Sequence, residues 1–186
     1  MKILITGNCE YGLAKELFKI YPTATFLSRK TGVDLTSIDG QIKCAELVLE
    51  HDVFVNSSAL WKFNQTVLLD QVYKLCVEKN HSPHIISVGS TTDRVKNGKA
   101  WLYNAEKKAL RDYSNTLALS GVWGETPKVT YISFGTLTNN QHKHIGRKCM
   151  DISLAAEYIK WVIEQPRHIN INEISIDPMQ GKNWNE

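Results

Sequence analysis

The sequence predicts an α/β fold, a doubly wound parallel sheet of six to seven strands with helices on both faces, and three observations predict it. Short β-branched or aromatic runs alternate with longer amphipathic segments, the pattern of a parallel sheet covered on both sides. The intervening segments are long enough for helical crossovers, and right-handed crossovers then leave little choice of topology. The first such run feeds directly into a turn that carries Gly7 and Gly12 and opens a helical segment. At 186 residues the chain falls within single-domain size, able to bury about 70% of its unfolded surface, so one domain over residues 1–186 is expected.

Taken in order, the extended runs are Lys2 to Ile5, Thr23 to Leu27, Asp52 to Asn56, His84 to Val88, Lys128 to Ser133 and Glu173 to Ile176. In the first helical segment Leu13, Ala14, Leu17, Phe18 and Tyr21 form one apolar stripe, and Pro22 returns the chain to an extended course. Further helices are expected from about Ser37 to Glu50, Trp61 to Lys79, Lys99 to Ser120 and Asp151 to Glu164, the last stopped by Pro166. Asp34 and Leu35 follow the second strand within a few residues, so the sheet is expected to be one strand short on that side.

Composition narrows the function. Apolar residues make up 42% and charged residues 22%, ordinary for a soluble globular protein. The opening MKILITG reads as a strand rather than a leader peptide, and no apolar run reaches membrane-spanning length. A cytoplasmic protein is expected, with no membrane partner. A net charge of +3 without a basic stripe argues against nucleic acid and suits an enzyme that handles phosphates. Cys9, Cys44, Cys76 and Cys149 show no ligand spacing, which argues against a metal site and a disulfide framework.

The turn after the first strand, Thr6, Gly7, Asn8, Cys9, Glu10, Tyr11, Gly12, Leu13, has the place and composition of a phosphate cradle. Glycine lets the backbone approach a pyrophosphate, and the helix start supplies amide donors. The second strand ends in Ser28, Arg29 and Lys30, a basic edge without the acid that selects NAD; such an edge accommodates the additional phosphate of NADP. The third strand ends in Asn56, Ser57, Ser58 and Ala59, small residues that leave space beside a cofactor. Tyr103 and Lys107 lie four apart on a helix and so share a face. A tyrosine has a pKa of about 10, and an adjacent ammonium favours its phenolate; bringing it near neutrality requires roughly 3 units, or about 4 kcal/mol. Alone, such a pair is an ordinary rim aromatic and a solvated charge.

With Ser90 thirteen residues before Tyr103, these pieces fall into one order, and the chain resembles the short-chain dehydrogenase/reductase family over nearly its whole length. Its glycine turn answers the family's TGxxxGxG, Asn56 to Ala59 its NNAG, Ser90 its serine, Tyr103 with Lys107 its YxxxK, and Phe134-Gly135 its Pro-Gly pair. Asn64, 26 residues before Ser90, occupies the place of the family's catalytic asparagine. The glycine turn is one residue shorter than the family's, Ser57 to Ala59 replace Asn-Ala-Gly, Phe134 replaces proline, and the lid segment after Gly135 is trimmed.

The resemblance implies a Rossmann-like fold and NADP(H)-dependent interconversion of a carbonyl and an alcohol, with NADP(H) preferred over NAD(H). Tyr103 would be the general acid/base, Ser90 would hold the substrate oxygen, Lys107 would lower the tyrosine pKa and grip the nicotinamide ribose, and Asn64 would position a water on Lys107. Gly7, Asn8, Cys9, Glu10, Tyr11, Gly12 and Leu13 would cradle the pyrophosphate. Ser28, Arg29 and Lys30 would meet the 2′-phosphate end, Asp34 and Leu35 the adenine, Asn56, Ser57 and Ser58 the strand-end wall, and Gly135, Thr136 and Thr138 the nicotinamide end. The implied partners are a small carbonyl or alcohol substrate and a second copy of the chain in a homodimer or homotetramer, for which Trp61, Trp101, Tyr113 and Leu117 would supply apolar contacts or core. The loop with His142, Lys143, His144, Arg147 and Lys148 would face an acidic or phosphorylated substrate, or else be a solvated basic loop. The rival readings are a silent dinucleotide-binding sensor or scaffold of the same fold, and an extended-branch sugar-nucleotide epimerase.

Overall fold

The computed structural model describes residues 1–94, 101–121 and 126–180. In chain order they form β1 (Ile3–Thr6), α1 (Gly12–Ile20), β2 (Thr25–Leu27), α2 (Ile38–Val48), β3 (Val53–Asn56), α3 (Asn64–Glu78), β4 (His84–Ser90), α4 (Leu102–Gly121), β5 (Lys128–Phe134), α5 (Ile152–Ile163) and β6 (Glu173–Ile176). The six strands make one sheet in the order β2-β1-β3-β4-β5-β6, and every neighbouring pair is parallel. The sheet therefore has the expected doubly wound form at the lower of the two expected strand counts. The start of the fourth helix expected at Lys99 lies outside the described residues.

Successive strand residues face opposite sides, and the two sides carry separate cores. Leu4, Phe54, Ile85 and Val129 point to the layer of α2, α3 and α4, where they meet Leu68, Leu69, Val72 and Leu110. Ile5, Val55, Ile86 and Ile132 point to α1 and α5, against Leu17, Ala156 and Ile159. Burial on both faces explains why these strands are nearly continuous hydrophobic runs rather than alternating ones. Phe18, counted on the apolar stripe of α1, is 41% exposed and packs edge-on against Phe26 with ring centroids 5.8 Å apart.

The missing strand has a local cause. After β2 the chain makes a single 3-10 turn at Arg29–Thr31, closed by reciprocal bonds between Ser28 and Thr31, and enters α2 at Ser37, whose hydroxyl accepts from Gly40 N at 3.1 Å. The loop folds back onto that helix so tightly that a Cβ on Gly40 would lie 1.9 Å from the Asp34 carbonyl oxygen. Glycine there permits ten residues to replace a helix and a strand.

Candidate active site

The chain runs from β1 outward to β2 and then back across β1 to β3, so the strand order reverses between β1 and β3. A crevice opens at the C-terminal strand ends where such a reversal occurs, the usual ligand position in open α/β sheets. A cleft of about 830 Å³ lies there, running from the loop after β2 past the glycine turn to Tyr103 and Lys107.

The glycine turn forms its floor. Gly7 has φ +141°, and a Cβ on it would meet the Ala14 Cβ at 2.8 Å, so glycine lets the turn lie against α1. Its amide donates to Leu27 O at 2.8 Å. The Asn8 side chain accepts from Glu10 N at 3.1 Å. No side chain caps α1, which leaves its first amides, beside Gly12 and Leu13, facing the cleft. Thr6 Oγ1 accepts from Ser57 N at 2.9 Å and Ser58 N at 3.1 Å, tying the end of β3 to β1 and setting both serines as a wall. Thr6, Gly7, Asn8, Tyr11, Gly12, Leu13, Ser57 and Ser58 line the cleft.

At the far end the lining comes from Ser28, Arg29, Lys30, Asp34 and Leu35. Arg29 and Lys30 are exposed, and Lys30 is paired with Glu10 of the glycine turn. The Lys30 bond and charge hold the Glu10 carboxyl below the usual range. Asp34 accepts from Thr36 N at 3.0 Å and Thr36 Oγ1 at 2.7 Å, and these bonds hold its carboxyl low. A turn with open amides, a cation pair at one end and this volume, within the range of about 300–1,000 Å³ usual for ligand pockets, fits an elongated dinucleotide.

At the near end, α4 presents Tyr103 and Lys107 on one face. The Ser90 hydroxyl, at the end of β4, acts on the Tyr103 phenol and favours its ionised form, and Ser90 Oγ accepts from Thr92 N at 3.4 Å. Trp61 and Trp101 pack on the Tyr103 ring, with centroids 5.3 and 5.2 Å away. Both tryptophans remain more than half exposed, whereas Leu117 is core and Tyr113 donates its hydroxyl to Asp70. Lys107 is buried, with Nζ 5.4 Å from the Tyr103 ring centroid, and donates to Gln65 Oε1 at 2.5 Å. Glu106, also buried, accepts from Lys62 N at 2.6 Å, which holds the turn where Lys62 and Phe63 take positive φ.

The electrostatics differ from the spacing argument. Burial, joined by the charge of Glu106, raises the Tyr103 pKa above its ordinary value, with only the Ser90 bond pulling it down. Burial likewise lowers Lys107 to about 8, against the charges of Glu106 and Asp93. Two residues four apart on a helix share a face, but spacing carries no information about how dry that face is.

Other assigned residues are placed differently from their expected roles. Asn64 lines it, yet its amide donates to Trp61 O at 2.6 Å and accepts from Gln41 at 3.2 Å; the contact with Lys107 is made by its neighbour Gln65. Asn56 is fully buried and donates to Gln65 O at 3.1 Å. Cys9, Glu10, Ser90, Gly135, Thr136 and Thr138 do not line the cleft; Thr138 Oγ1 accepts from Ile152 N at 3.1 Å. Thr136 instead borders a second cavity of about 320 Å³, with Thr91, Arg147, Lys148 and Asp177. Sequence reasoning missed Gln65 and Glu106. Glu106 adjoins Lys107 and was open to inspection, whereas nothing local marks Gln65.

No protein-family model matches the chain. An uncharacterized oxidoreductase of Staphylococcus saprophyticus is 25% identical over 209 aligned residues, which cover 96% of this chain and 87% of that protein. Among solved structures, serine dehydrogenase from Escherichia coli superposes with a TM-score of 0.73 at 19% identity, covering 95% of this chain and 97% of that one. A short-chain dehydrogenase from Burkholderia cenocepacia in complex with NADP gives 0.74 at 14% identity, over 93% and 86% of the two chains. The fold is the one these dehydrogenases share. Among the described residues no group of His, Cys, Asp and Glu could hold a metal ion, and no helix is long and apolar enough to cross a membrane.

Proposed function

We infer that the chain belongs to the short-chain dehydrogenase/reductase family and is an oxidoreductase that interconverts a carbonyl and an alcohol, using NADP(H) in preference to NAD(H). The observation that carries this reading is the meeting of Tyr103 and Lys107 at one end of a cleft whose floor is a glycine turn and whose other end is basic, with the Ser90 hydroxyl acting on the phenol from the end of β4. A bound nicotinamide dinucleotide supplies the hydride donor or acceptor. The glycine turn, from Gly7 to Leu13, would hold its pyrophosphate, Arg29 and Lys30 its 2′-phosphate, and Lys107 its ribose.

Ser90 would hold the substrate oxygen by a hydrogen bond, and Tyr103 would give that oxygen a proton or take one away. A phenol is protonated at neutral pH, with a pKa of about 10, and burial raises it further, so Tyr103 would serve as the acid of carbonyl reduction. As the base of alcohol oxidation it would need alkaline conditions. The Trp61 and Trp101 rings lie 5.3 and 5.2 Å from the Tyr103 ring and would flank a bound substrate.

The test is NADPH consumption across a panel of carbonyl compounds by the wild type and by Tyr103→Phe. The substitution is expected to abolish turnover, a loss of at least about 100-fold, while NADP affinity stays nearly intact. Surviving turnover would overturn the assignment of the acid. The silent-sensor reading draws support from the raised phenol pKa and from the turning of Lys107 toward Gln65; cofactor binding without NADPH consumption on any panel member would establish it. A cytoplasmic homodimer or homotetramer completes the proposal, and sedimentation would measure the assembly.

A further inference from the structure

We propose that Gln65 is the positioning residue of this site, a fixed amide acceptor that holds the Lys107 ammonium from inside the protein. The proposal rests on the reading of Lys107 as part of a dehydrogenase site and adds a residue to it. Gln65 is the second residue of α3 and is 3% exposed. Its Nε2 donates to Asn56 O at 2.8 Å and to Val88 O at 2.9 Å, so both amide protons are used on the ends of β3 and β4. That fixes which way the amide faces. A flip would set Oε1 against two carbonyl oxygens and the NH₂ against an ammonium, losing three bonds at once. Oε1 is therefore left with one direction, toward Lys107 Nζ at 2.5 Å. The clamp is reciprocal, since Asn56 Nδ2 donates back to Gln65 O at 3.1 Å.

This arrangement gives Lys107 a neutral, dry anchor tied to two adjacent strands, where Asn64 with a water had been expected. A neutral acceptor holds the ammonium in place and favours its charged form without cancelling the charge. A carboxylate in the same position would hold it and cancel it. The titratable groups that bear on Lys107 are Glu106 and Tyr103 on its own helix and Asp93 in the turn after β4. From α3, β3 and β4 the facing groups are Gln65, Asn56 and Val88, none of which titrates. Removing the Gln65 acceptor should leave burial to dominate, so that Lys107 gives up its proton at lower pH.

The experiment follows the titration of Lys107 by NMR in the full chain labelled with ¹³Cε-lysine, its signal identified by its loss in Lys107→Met. The wild-type midpoint is expected at about 8. In Gln65→Met the midpoint should fall by about one unit or more, a tenfold loss of proton affinity. In Gln65→Glu it should rise by a similar amount, which keeps the test alive if the first variant does not fold. Leu69→Ala, a truncation in the buried face of the same helix, should lower Tm and leave the midpoint in place. An unmoved midpoint in the folded Gln65 variants, or an equal shift in Leu69→Ala, would overturn the contact. A shifted midpoint with wild-type carbonyl reduction would overturn the positioning role. None of the NMR readouts needs turnover, so a chain that consumes no NADPH would count against the dehydrogenase reading and not against the Gln65 contact.

Discussion

The two ends of the cleft are built on opposite principles. At the basic end Glu10, Arg29, Lys30 and Asp34 are all exposed, and their bonds are local or at the surface: Asp34 to Thr36 two residues on, Lys30 to Glu10 in a direct exposed ion pair. At the reactive end Gln65, Glu106 and Lys107 are buried, and each bonds to a group more than 40 positions away in the chain or to a strand carbonyl. Exposed pairs contribute roughly 0–1 kcal/mol and rearrange freely. Buried polar networks are costly to disturb and hold one geometry. The difference teaches where this protein spends rigidity: on the groups that would meet the reacting atoms, and hardly at all on those that would meet the adenosine.

The largest contrast should come from Lys107→Met. Turnover should fall by at least about 100-fold, whereas stability at pH 7 should hold or rise, because a buried ammonium that resists ionisation is replaced by an apolar chain of similar length. The pH dependence sharpens this. Lys107 in the fold sits at about 8 against an ordinary 10.5, so between those values the unfolded chain binds more protons and stability increases with pH. That increase belongs to the wild type and should be absent in the variant, as urea unfolding at pH 7.5 and 9.5 would measure. Parallel curves would mean that Lys107 is not desolvated.

A smaller effect is expected from Glu106→Gln. The Glu106 charge helps raise the Tyr103 pKa, so its removal should move the alkaline fall of carbonyl reduction to lower pH, by up to about one unit. The pH profile of kcat/KM reads this directly. Arg29→Ala should act only at the other end, weakening NADP binding by about tenfold and leaving NAD binding unchanged; calorimetric titration with each cofactor would show it. The smallest effect should be Glu10→Gln, which frees Lys30 and should strengthen NADP binding by about two- to threefold at low salt and not at all at high salt. If Arg29→Ala or Glu10→Gln altered the pH profile, the two ends would not be independent.

Much of this was legible in the sequence because it depends on order and period. Runs such as Val53 to Val55 and Ile85 to Val88 must be doubly covered strands, and the short gap from Leu27 to Asp34 correctly foretold a missing strand. Spacing and order single out Tyr103, Lys107 and Ser90; the structure sets Lys107 Nζ 5.4 Å from the Tyr103 ring centroid, and Ser90 ends β4 just outside the cleft lining. What was hidden depends on helix phase and burial. Asn64 and Gln65 are one residue apart, yet one residue turns a helix by about 100°, which sends Gln65 under the strand ends and Asn64 toward the Trp61 turn. The direction of the Tyr103 pKa was hidden for the same reason: spacing predicts an ammonium nearby, and only packing shows that Lys107 is buried and Tyr103 half-buried.

The most direct measurement of the central claim is a crystal structure of the chain with NADP. The account predicts the nicotinamide ribose hydroxyls within hydrogen-bonding distance of Tyr103 and Lys107, the pyrophosphate on the Gly7 to Leu13 turn, and Lys107 still bonded to Gln65. A dinucleotide lying elsewhere on the molecule, or lying in the cleft with its ribose out of reach of both Tyr103 and Lys107, would contradict it.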